Sequence, residues 1–306
     1  MSFRDKLMVE KRYRSILYTA KKLSYFNPKQ NKKIDYEANN IFGRMIITLL
    51  TFTETSDKLV FKIKEDKISK KIIEKWESEM NEKRIKYNKN AMLNVLNGNI
   101  RPFNIKLEIP DVKKLINPKV MKRMEDKYYK HANNPTNAGF IEASTLVYIR
   151  YNTYDAWSQC WSVNNKDVNY PGDPKYMNIE LFGSPFNTRK ETSVFGTLFP
   201  DTDKEFGGYK RYFDLYHFIL RMNKNKLYFN LFINPPFVEE IMDDLVDIVY
   251  DLKKTNNVVV LFPHWKNQEA YKTVKTFFDH FRINTEVHDL WTDTIITGVK
   301  TTTFFD

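Results

Sequence analysis

Two short apolar runs, Leu227-Tyr228-Phe229-Asn230-Leu231-Phe232-Ile233 and Val258-Val259-Val260-Leu261-Phe262, bracket one amphipathic stretch. A run that is apolar at successive positions reads as a strand buried on both faces, as in a sheet covered by helices. Between the runs, Val238, Ile241, Met242, Leu245, Ile248, Val249 and Leu252 recur at helical spacing. Glu239 and Glu240 open this helix, where its macrodipole favours negative charge, and Asn256-Asn257 closes it. A second helix is expected through Tyr271, Val274, Phe277, Phe278 and Phe281, and two last strands near Thr285-Glu286-Val287 and from Ile295 to Phe305. Strand and helix alternating in this way predict an α/β, Rossmann-like unit with a mainly parallel sheet and helices on both faces. In that architecture a ligand sits beyond the carboxyl ends of the strands.

The chain before this pattern reads differently. Tyr13, Ile16, Leu17, Ala20 and Leu23 make one helical stripe, and Ile41, Phe42, Met45, Ile46, Leu49 and Leu50 a second. Ile68, Ile72, Ile73, Trp76 and Met80 make a third, and Leu59-Val60-Phe61-Lys62-Ile63 reads as a short strand. The turn-rich Asn133-Asn134-Pro135-Thr136-Asn137-Ala138-Gly139 places a boundary there. The expected division is a mostly helical domain over 1–135 and the α/β domain over 136–306. Within the latter, Ile141 to Cys160 reads as an aromatic-rich helix and Met177 to Phe182 as a strand. A loop-rich stretch then runs to about Asn225.

Charge follows the same division. Residues 1–135 carry 31 Lys+Arg against 16 Asp+Glu, net +15, and residues 136–306 carry 18 against 22, net −4. A cationic module suits a polyanionic partner, of which nucleic acid is the commonest. Lysine-rich solvated surface is the plainer account of the same excess.

Several classes are excluded or disfavoured. The start, Met1-Ser2-Phe3-Arg4-Asp5-Lys6, lacks the apolar core of a signal peptide. Apolar stretches such as Met45-Ile46-Ile47-Thr48-Leu49-Leu50 are too short to span a bilayer. Cys160 is the one cysteine, so neither an intrachain disulfide nor a cysteine zinc site can form. The five histidines, His131, His217, His264, His280 and His288, show no ligand spacing, and no metal site is expected. These features predict a soluble intracellular protein, nuclear or cytoplasmic, with no membrane partner.

At the expected carboxyl end of the first strand stands Asn234-Pro235-Pro236-Phe237. The exocyclic amine of adenine is a poor nucleophile because its lone pair is delocalised into the ring. An Asn oxygen and a proline carbonyl can each accept one of its N–H groups, pin the nitrogen and localise the lone pair. An aromatic ring then stacks on the base. Such a site works by positioning and hydrogen-bond polarisation, without a strong base. A plain Pro-Pro turn is the alternative reading, but the buried strand before it and the helix after it favour the chemical one.

Upstream, Asp201 and Asp203 lie in Leu198-Phe199-Pro200-Asp201-Thr202-Asp203, followed by Phe206-Gly207-Gly208. No third acid stands at a spacing suited to a metal. The two carboxylates either cap a local turn or face a ribose or a cationic sulfonium. No G-x-G-x-x-G is present, so a nucleotide-like cofactor would need a pocket of another kind.

Three segments in order and spacing resemble one family: Gly183-Ser184-Pro185-Phe186-Asn187; Phe199-Pro200-Asp201-Thr202-Asp203 with Phe206-Gly207; and Asn234-Pro235-Pro236-Phe237 with Glu239-Glu240-Ile241-Met242-Asp243. This is the family of the phosphorylated C-terminal-domain-interacting factor, the cap-specific adenosine N6-methyltransferase. Leu261-Phe262-Pro263-His264-Trp265 matches a further segment that typically reads F-I-P-E-W in the family. His264 stands where the family has an acid and Phe186 where it has leucine, and no WW domain is expected ahead of the helical part. The resemblance covers roughly residues 140–306.

It implies a Rossmann-like methyltransferase domain using S-adenosyl-L-methionine, with RNA, in particular the 5′ end of capped mRNA, as partner. It implies that Asn234, Pro235, Pro236 and Phe237 hold the adenine. Ser184, Pro185, Asn187, Asp201, Asp203, Phe206 and Gly207 are then expected at the cofactor. Two other expectations stand beside this one: an enzyme acting on internal RNA or DNA adenines, and an inactive RNA-binding subunit that keeps the fold.

Overall fold

The computed structural model describes residues 2–27, 31–52, 67–154, 161–162, 172–289, 294–296 and 298–306. The chain divides into two compact units, Met1–Pro110 with Tyr148–Ala156, and Asp111–Val147 with Trp157–Asp306. The expected strand at Leu59–Ile63 and Cys160 lie outside the described residues.

The first unit is helical. It contains α1 (Phe3–Ser24), α2 (Lys32–Phe52), α3 (Lys67–Glu82) and α4 (Lys89–Leu96), with a two-stranded ladder of β1 (Tyr25–Phe26) and β2 (Lys86–Tyr87). A capping box starts α1: the Asp5 amide donates to Ser2 Oγ at 3.2 Å, and the Ser2 amide donates back to the Asp5 carboxylate at 3.2 Å. The predicted stripes are the core here. Ile16, Leu17 and Ala20 of α1 are buried with Ile41, Phe42, Met45, Ile46, Leu49 and Leu50 of α2, and with Ile72, Ile73, Trp76 and Met80 of α3. Arg150, near the end of α7 (Asn137–Tyr154), reaches Glu10 of α1 in this unit.

All of the chain's net charge sits in this first unit. Its residues carry 25 Lys+Arg against 14 Asp+Glu, net +11, whereas the second unit balances 24 against 24.

The second unit holds a seven-stranded sheet ordered β6-β5-β4-β7-β8-β12-β9. Its strands are β4 (Met177–Glu180), β5 (Val194–Gly196), β6 (Gly208–Lys210), β7 (Phe229–Ile233), β8 (Asn257–Pro263), β9 (His280–Asn284) and β12 (Thr301–Phe305). The first five in sequence are parallel; β12 runs antiparallel to both β8 and β9. The strand order reverses between β4 and β7, so the crevice that an open α/β sheet offers a ligand falls at their carboxyl ends. A smaller antiparallel sheet joins β3 (Trp161–Ser162), β10 (Val287–Asp289) and β11 (Thr294–Ile296). The α/β, mainly parallel, Rossmann-like architecture therefore stands as predicted, with a helical region before it.

The helices of this unit include α5 (Val112–Leu115), α6 (Pro118–His131), the first turns of α7, α8 (Pro200–Asp203), α9 (Tyr212–Lys224), α10 (Glu239–Lys253) and α11 (Glu269–Lys275). In α10 the predicted face is buried throughout: Val238, Ile241, Met242, Leu245, Ile248, Val249 and Leu252 are each at most 6% exposed. β7 is buried at every residue, as its run of apolar side chains required.

Strand register is fixed by polar groups. Asn178, Asn230 and Asn257 are register partners on β4, β7 and β8. Asn257 Nδ2 donates to Asn230 Oδ1 at 3.0 Å, and Asn230 Nδ2 donates to Asn178 Oδ1 at 3.0 Å. A slip of one residue would break both bonds and leave three buried or half-buried amides without these partners. The ladder at the amino ends thus aligns the carboxyl ends where the site lies.

Two expectations are corrected. The stretch from Gly183 to Asn225, read as loop-rich, contains β5, α8, β6 and the helix α9. β5 and β6 are too short to show a period, and the aromatic residues of α9 occur on several sides of the helix, which hides its stripe. The helix expected through Phe281 stops at Lys275, and Phe281 lies in β9. Three of the five residues of that stripe, Phe277, Phe278 and Phe281, belong to a turn and an edge strand, where aromatic residues are equally at home.

Candidate functional site

The loops that follow β4, β5, β7 and β8 share the carboxyl edge of the sheet. The one after β7 is Asn234-Pro235-Pro236-Phe237. Asn234 is 4% exposed, Pro235 and Pro236 are buried, and Phe237 is partly open. The Val238 amide donates to the Pro236 carbonyl at 2.7 Å, a tight turn that swings the chain into α10. The turn uses Pro236's carbonyl and leaves Pro235's carbonyl outside it. Gln268 Nε2 donates to Glu239 Oε1 at 3.1 Å, tying the loop after β8 to the first turn of α10.

After β4 the chain folds into a self-capped turn. The Ser184 amide and Ser184 Oγ both donate to Asn187 Oδ1, at 2.8 and 2.9 Å, and the Asn187 amide donates to Ser184 Oγ at 3.2 Å. Ser184, Pro185, Phe186 and Asn187 are all buried. Gly183 lies against β5: an added Cβ would stand 2.9 Å from the Phe195 side chain. This is a cradle built from backbone, with Ser184 and Asn187 as its internal struts.

After β5, Asp203 is fully buried and accepts from the hydroxyls of Thr197 and of Thr202, the latter at 3.0 Å. Thr197 Oγ1 also accepts from the Phe199 amide at 3.1 Å. Asp203 therefore holds the loop together from inside, while Asp201, two residues before it, is exposed. Phe206 is fully buried and packs against Tyr128 of α6, ring centres 5.9 Å apart. Gly207 ends a short 3-10 turn with φ +96°, a conformation that L side chains rarely adopt. Of the residues expected at a cofactor, Asp201 is the exposed one, and Pro185 is buried with the rest. Ser184, Asn187, Asp203, Phe206 and Gly207 shape their loops.

At the end of β8, His264 Nδ1 lies 2.7 Å from Thr302 Oγ1 and 3.3 Å from the Tyr271 hydroxyl, which is itself 3.0 Å from Thr302 Oγ1. Burial, then Lys266 and Lys300, lower the His264 pKa from its ordinary value of 6.5. The ring is therefore neutral near pH 7.

Beneath the β4 loop lies a charged cluster that sequence reasoning missed. Glu180, the last residue of β4, is fully buried. It accepts from the Arg189 amide at 3.3 Å and from Thr192 Oγ1 at 3.4 Å. Lys127 of α6 donates to the Arg189 carbonyl at 2.9 Å, and the Arg189 guanidinium lies 4.0 Å from the centre of the Phe232 ring. Burial raises the Glu180 pKa and lowers that of Lys127. The only signal in sequence was a carboxylate set between Ile179 and Leu181. Among the described residues no group of His, Cys, Asp or Glu is arranged to hold a metal ion.

The fold defines a doubly wound α/β protein, with these loops at the carboxyl edge of its sheet around the point where the strand order reverses. A family model described as phosphorylated CTD interacting factor 1 WW domain matches residues 121–290, more than half the chain, and the chain belongs to that family. The matched span runs from α6 into the smaller sheet and includes every loop described above. No curated protein matches the chain. Among the described residues no helix is long and apolar enough to cross a membrane.

Proposed function

We propose that this chain is an S-adenosyl-L-methionine-dependent adenosine N6-methyltransferase acting on RNA, with the adenosine next to the cap of mRNA as its leading substrate. One observation carries the reading: Asn234-Pro235-Pro236-Phe237 follows β7 at the carboxyl edge, beside the point where the strand order reverses. Family membership points to the same chemistry.

The crevice suits the cofactor. An exposed carboxylate at the end of the strand next to β4 is where a doubly wound fold meets ribose hydroxyls, and Asp201 occupies that place. Gly183 and the buried Ser184–Asn187 turn let backbone approach a ligand closely. When bound, S-adenosyl-L-methionine supplies the methyl group.

The chain's own residues do the rest. The Asn234 side-chain oxygen and the Pro235 carbonyl accept the two N–H groups of the adenine amine, turning its lone pair toward the methyl donor. Pro236, whose carbonyl is engaged by Val238, fixes the bend that presents its neighbour. Phe237, partly open, stacks on the base and contributes about 1–3 kcal/mol. The surplus amine proton passes to water after transfer, so no strong base is needed. An unpaired 5′ nucleotide requires no flipping from a duplex. The first unit, net +11, supplies the attraction for the RNA backbone.

The test is incubation with labelled methyl donor and adenosine-initiated RNA, with and without the cap, followed by nucleoside analysis. Labelled N6-methyladenosine confined to the capped RNA is expected. Label at internal adenines, or in DNA, would redirect the substrate assignment, and absence of both methyl-donor binding and label would overturn the reading.

A further inference from the structure

Gly43 stands in the interior of α2, a helix of 21 residues. Glycine disfavours a helix interior relative to alanine, so such a residue calls for a packing or backbone reason. Neither exists here. A Cβ built on Gly43 meets nothing within 4 Å, and its φ is not positive. The missing side chain instead leaves an opening over α2, part of a cavity of about 130 Å³ that lies wholly within the first unit.

The lining of the cavity is mixed in chemistry. Its floor is apolar, made by Leu17, Phe42 and Ile46, each at most 5% exposed. Tyr18, 43% exposed, stands at its side. Its wall is polar. Thr153 Oγ1 is shielded from solvent and meets no hydrogen-bond partner among the described residues. A buried hydroxyl in that state is uncommon and calls for a partner. Asn39 accepts from the Tyr25 hydroxyl at 3.2 Å through its oxygen, leaving its amide N–H groups for the cavity. Arg14 and Lys21 flank the mouth, two turns apart on α1, and Arg14 forms no ion pair among the described residues.

An apolar slot with an aromatic side, hydrogen-bonding groups along one wall and cations at the rim is complementary to a base carrying a phosphate. We propose that this cavity binds one nucleotide of single-stranded RNA, with the base over Gly43 and its phosphate at Arg14 and Lys21. The net +11 of the unit brings a polyanion to it. The proposal rests on the reading of the substrate as RNA, but it assigns a binding site in the helical unit, separate from the loops that handle the methyl group.

The test uses the full chain and a fluorescently labelled hexauridylate, which has no adenine to enter the proposed methylation site. Anisotropy titrations compare the wild type with Gly43→Leu, which fills the opening, Gly43→Ala, and Arg14→Gln. Gly43→Leu is expected to weaken binding by about tenfold or more as the base loses its stacking place. Arg14→Gln is expected to lower the salt slope by about 0.7, one phosphate's share for a single strand. Gly43→Ala is expected to raise the melting temperature while weakening binding, opposite signs that a merely structural glycine would not give. Full affinity in a folded Gly43→Leu overturns the proposal. Should that variant not fold, full affinity in both Gly43→Ala and Arg14→Gln does the same. So does equal competition by inorganic phosphate, which would make this an anion site only. Loss of binding to phosphatidylserine vesicles, rather than to RNA, in these variants would assign the surface to a membrane and also overturn it. Calorimetry with S-adenosyl-L-methionine on the same samples separates the two readings. Donor binding without hexauridylate binding removes this site alone, and the reverse result removes the catalytic reading alone.

Discussion

Arg150 donates two hydrogen bonds to the Glu10 carboxylate, Nε at 2.8 Å and Nη2 at 2.7 Å, with both side chains almost wholly out of water. The guanidinium also lies 4.3 Å from the centre of the Tyr13 ring. A bidentate pair of this kind joins residues far apart in the chain and closes the first unit. Removing one partner leaves a buried charge uncompensated. Glu10→Gln is expected to cost about 3–5 kcal/mol, and Glu10→Leu with Arg150→Met to recover most of it. Chemical denaturation of the two variants beside the wild type checks this; equal loss in the single and the double variant would contradict it.

Asn234→Ala is expected to lower methyl transfer by about 10²–10³ with little change in melting temperature. Asn234 follows the last residue of β7, and its side-chain oxygen is assigned to the adenine amine. Single-turnover rates together with thermal denaturation decide the matter. Near-wild-type rates in the purified variant would remove Asn234 from the site.

Asp201 and Asp203 are expected to separate. Asp203 accepts two threonine hydroxyls inside the loop, so Asp203→Ala should destabilise the unit and weaken cofactor binding together. Asp201 is exposed, and Asp201→Ala should weaken cofactor binding with the melting temperature unchanged. A chelator should leave activity intact. Loss of activity with chelator, restored by added divalent metal, would overturn the ribose role.

Two histidines make stability pH-dependent in the same direction. Burial first, then neighbouring lysines, lower the pKa of His264 and of His131 below the ordinary 6.5. As pH falls, the unfolded chain takes up these protons before the folded one. Their contribution is therefore full above 6.5 and is lost as pH falls through the lower folded value. His264→Gln should lose less stability than the wild type between about pH 7.5 and about pH 5.5. Identical losses in melting temperature would show that His264 does not titrate in this way.

Much of the α/β unit was legible because β7 and β8 are mostly apolar and α10 carries an uninterrupted stripe. The motif after β7 was legible for the same reason: a buried strand that runs into two prolines has few places to end. The struts were not. Ser184 with Asn187, and Asp203 with Thr197, are polar residues satisfied by partners a few positions away, and such pairs look like any turn in sequence. Glu180 and Lys127 were hidden more deeply, since their meeting depends on α6 packing under β4. Gly43 was invisible too, because a glycine in a helix says nothing until the space above it is known.

Among the strands of the large sheet, β9 pairs with β12 alone, and β12 is made after it. During vectorial synthesis β9 has no edge to join until Thr301–Phe305 has left the ribosome, whereas β4 to β8 can already assemble. Phe281 and Ile283 of β9 stay well exposed even after β12 has paired, so it is the backbone edge of β9 that lacks a partner through that interval. The order of translation thus makes the pairing of this edge strand a late event in the assembly of the sheet.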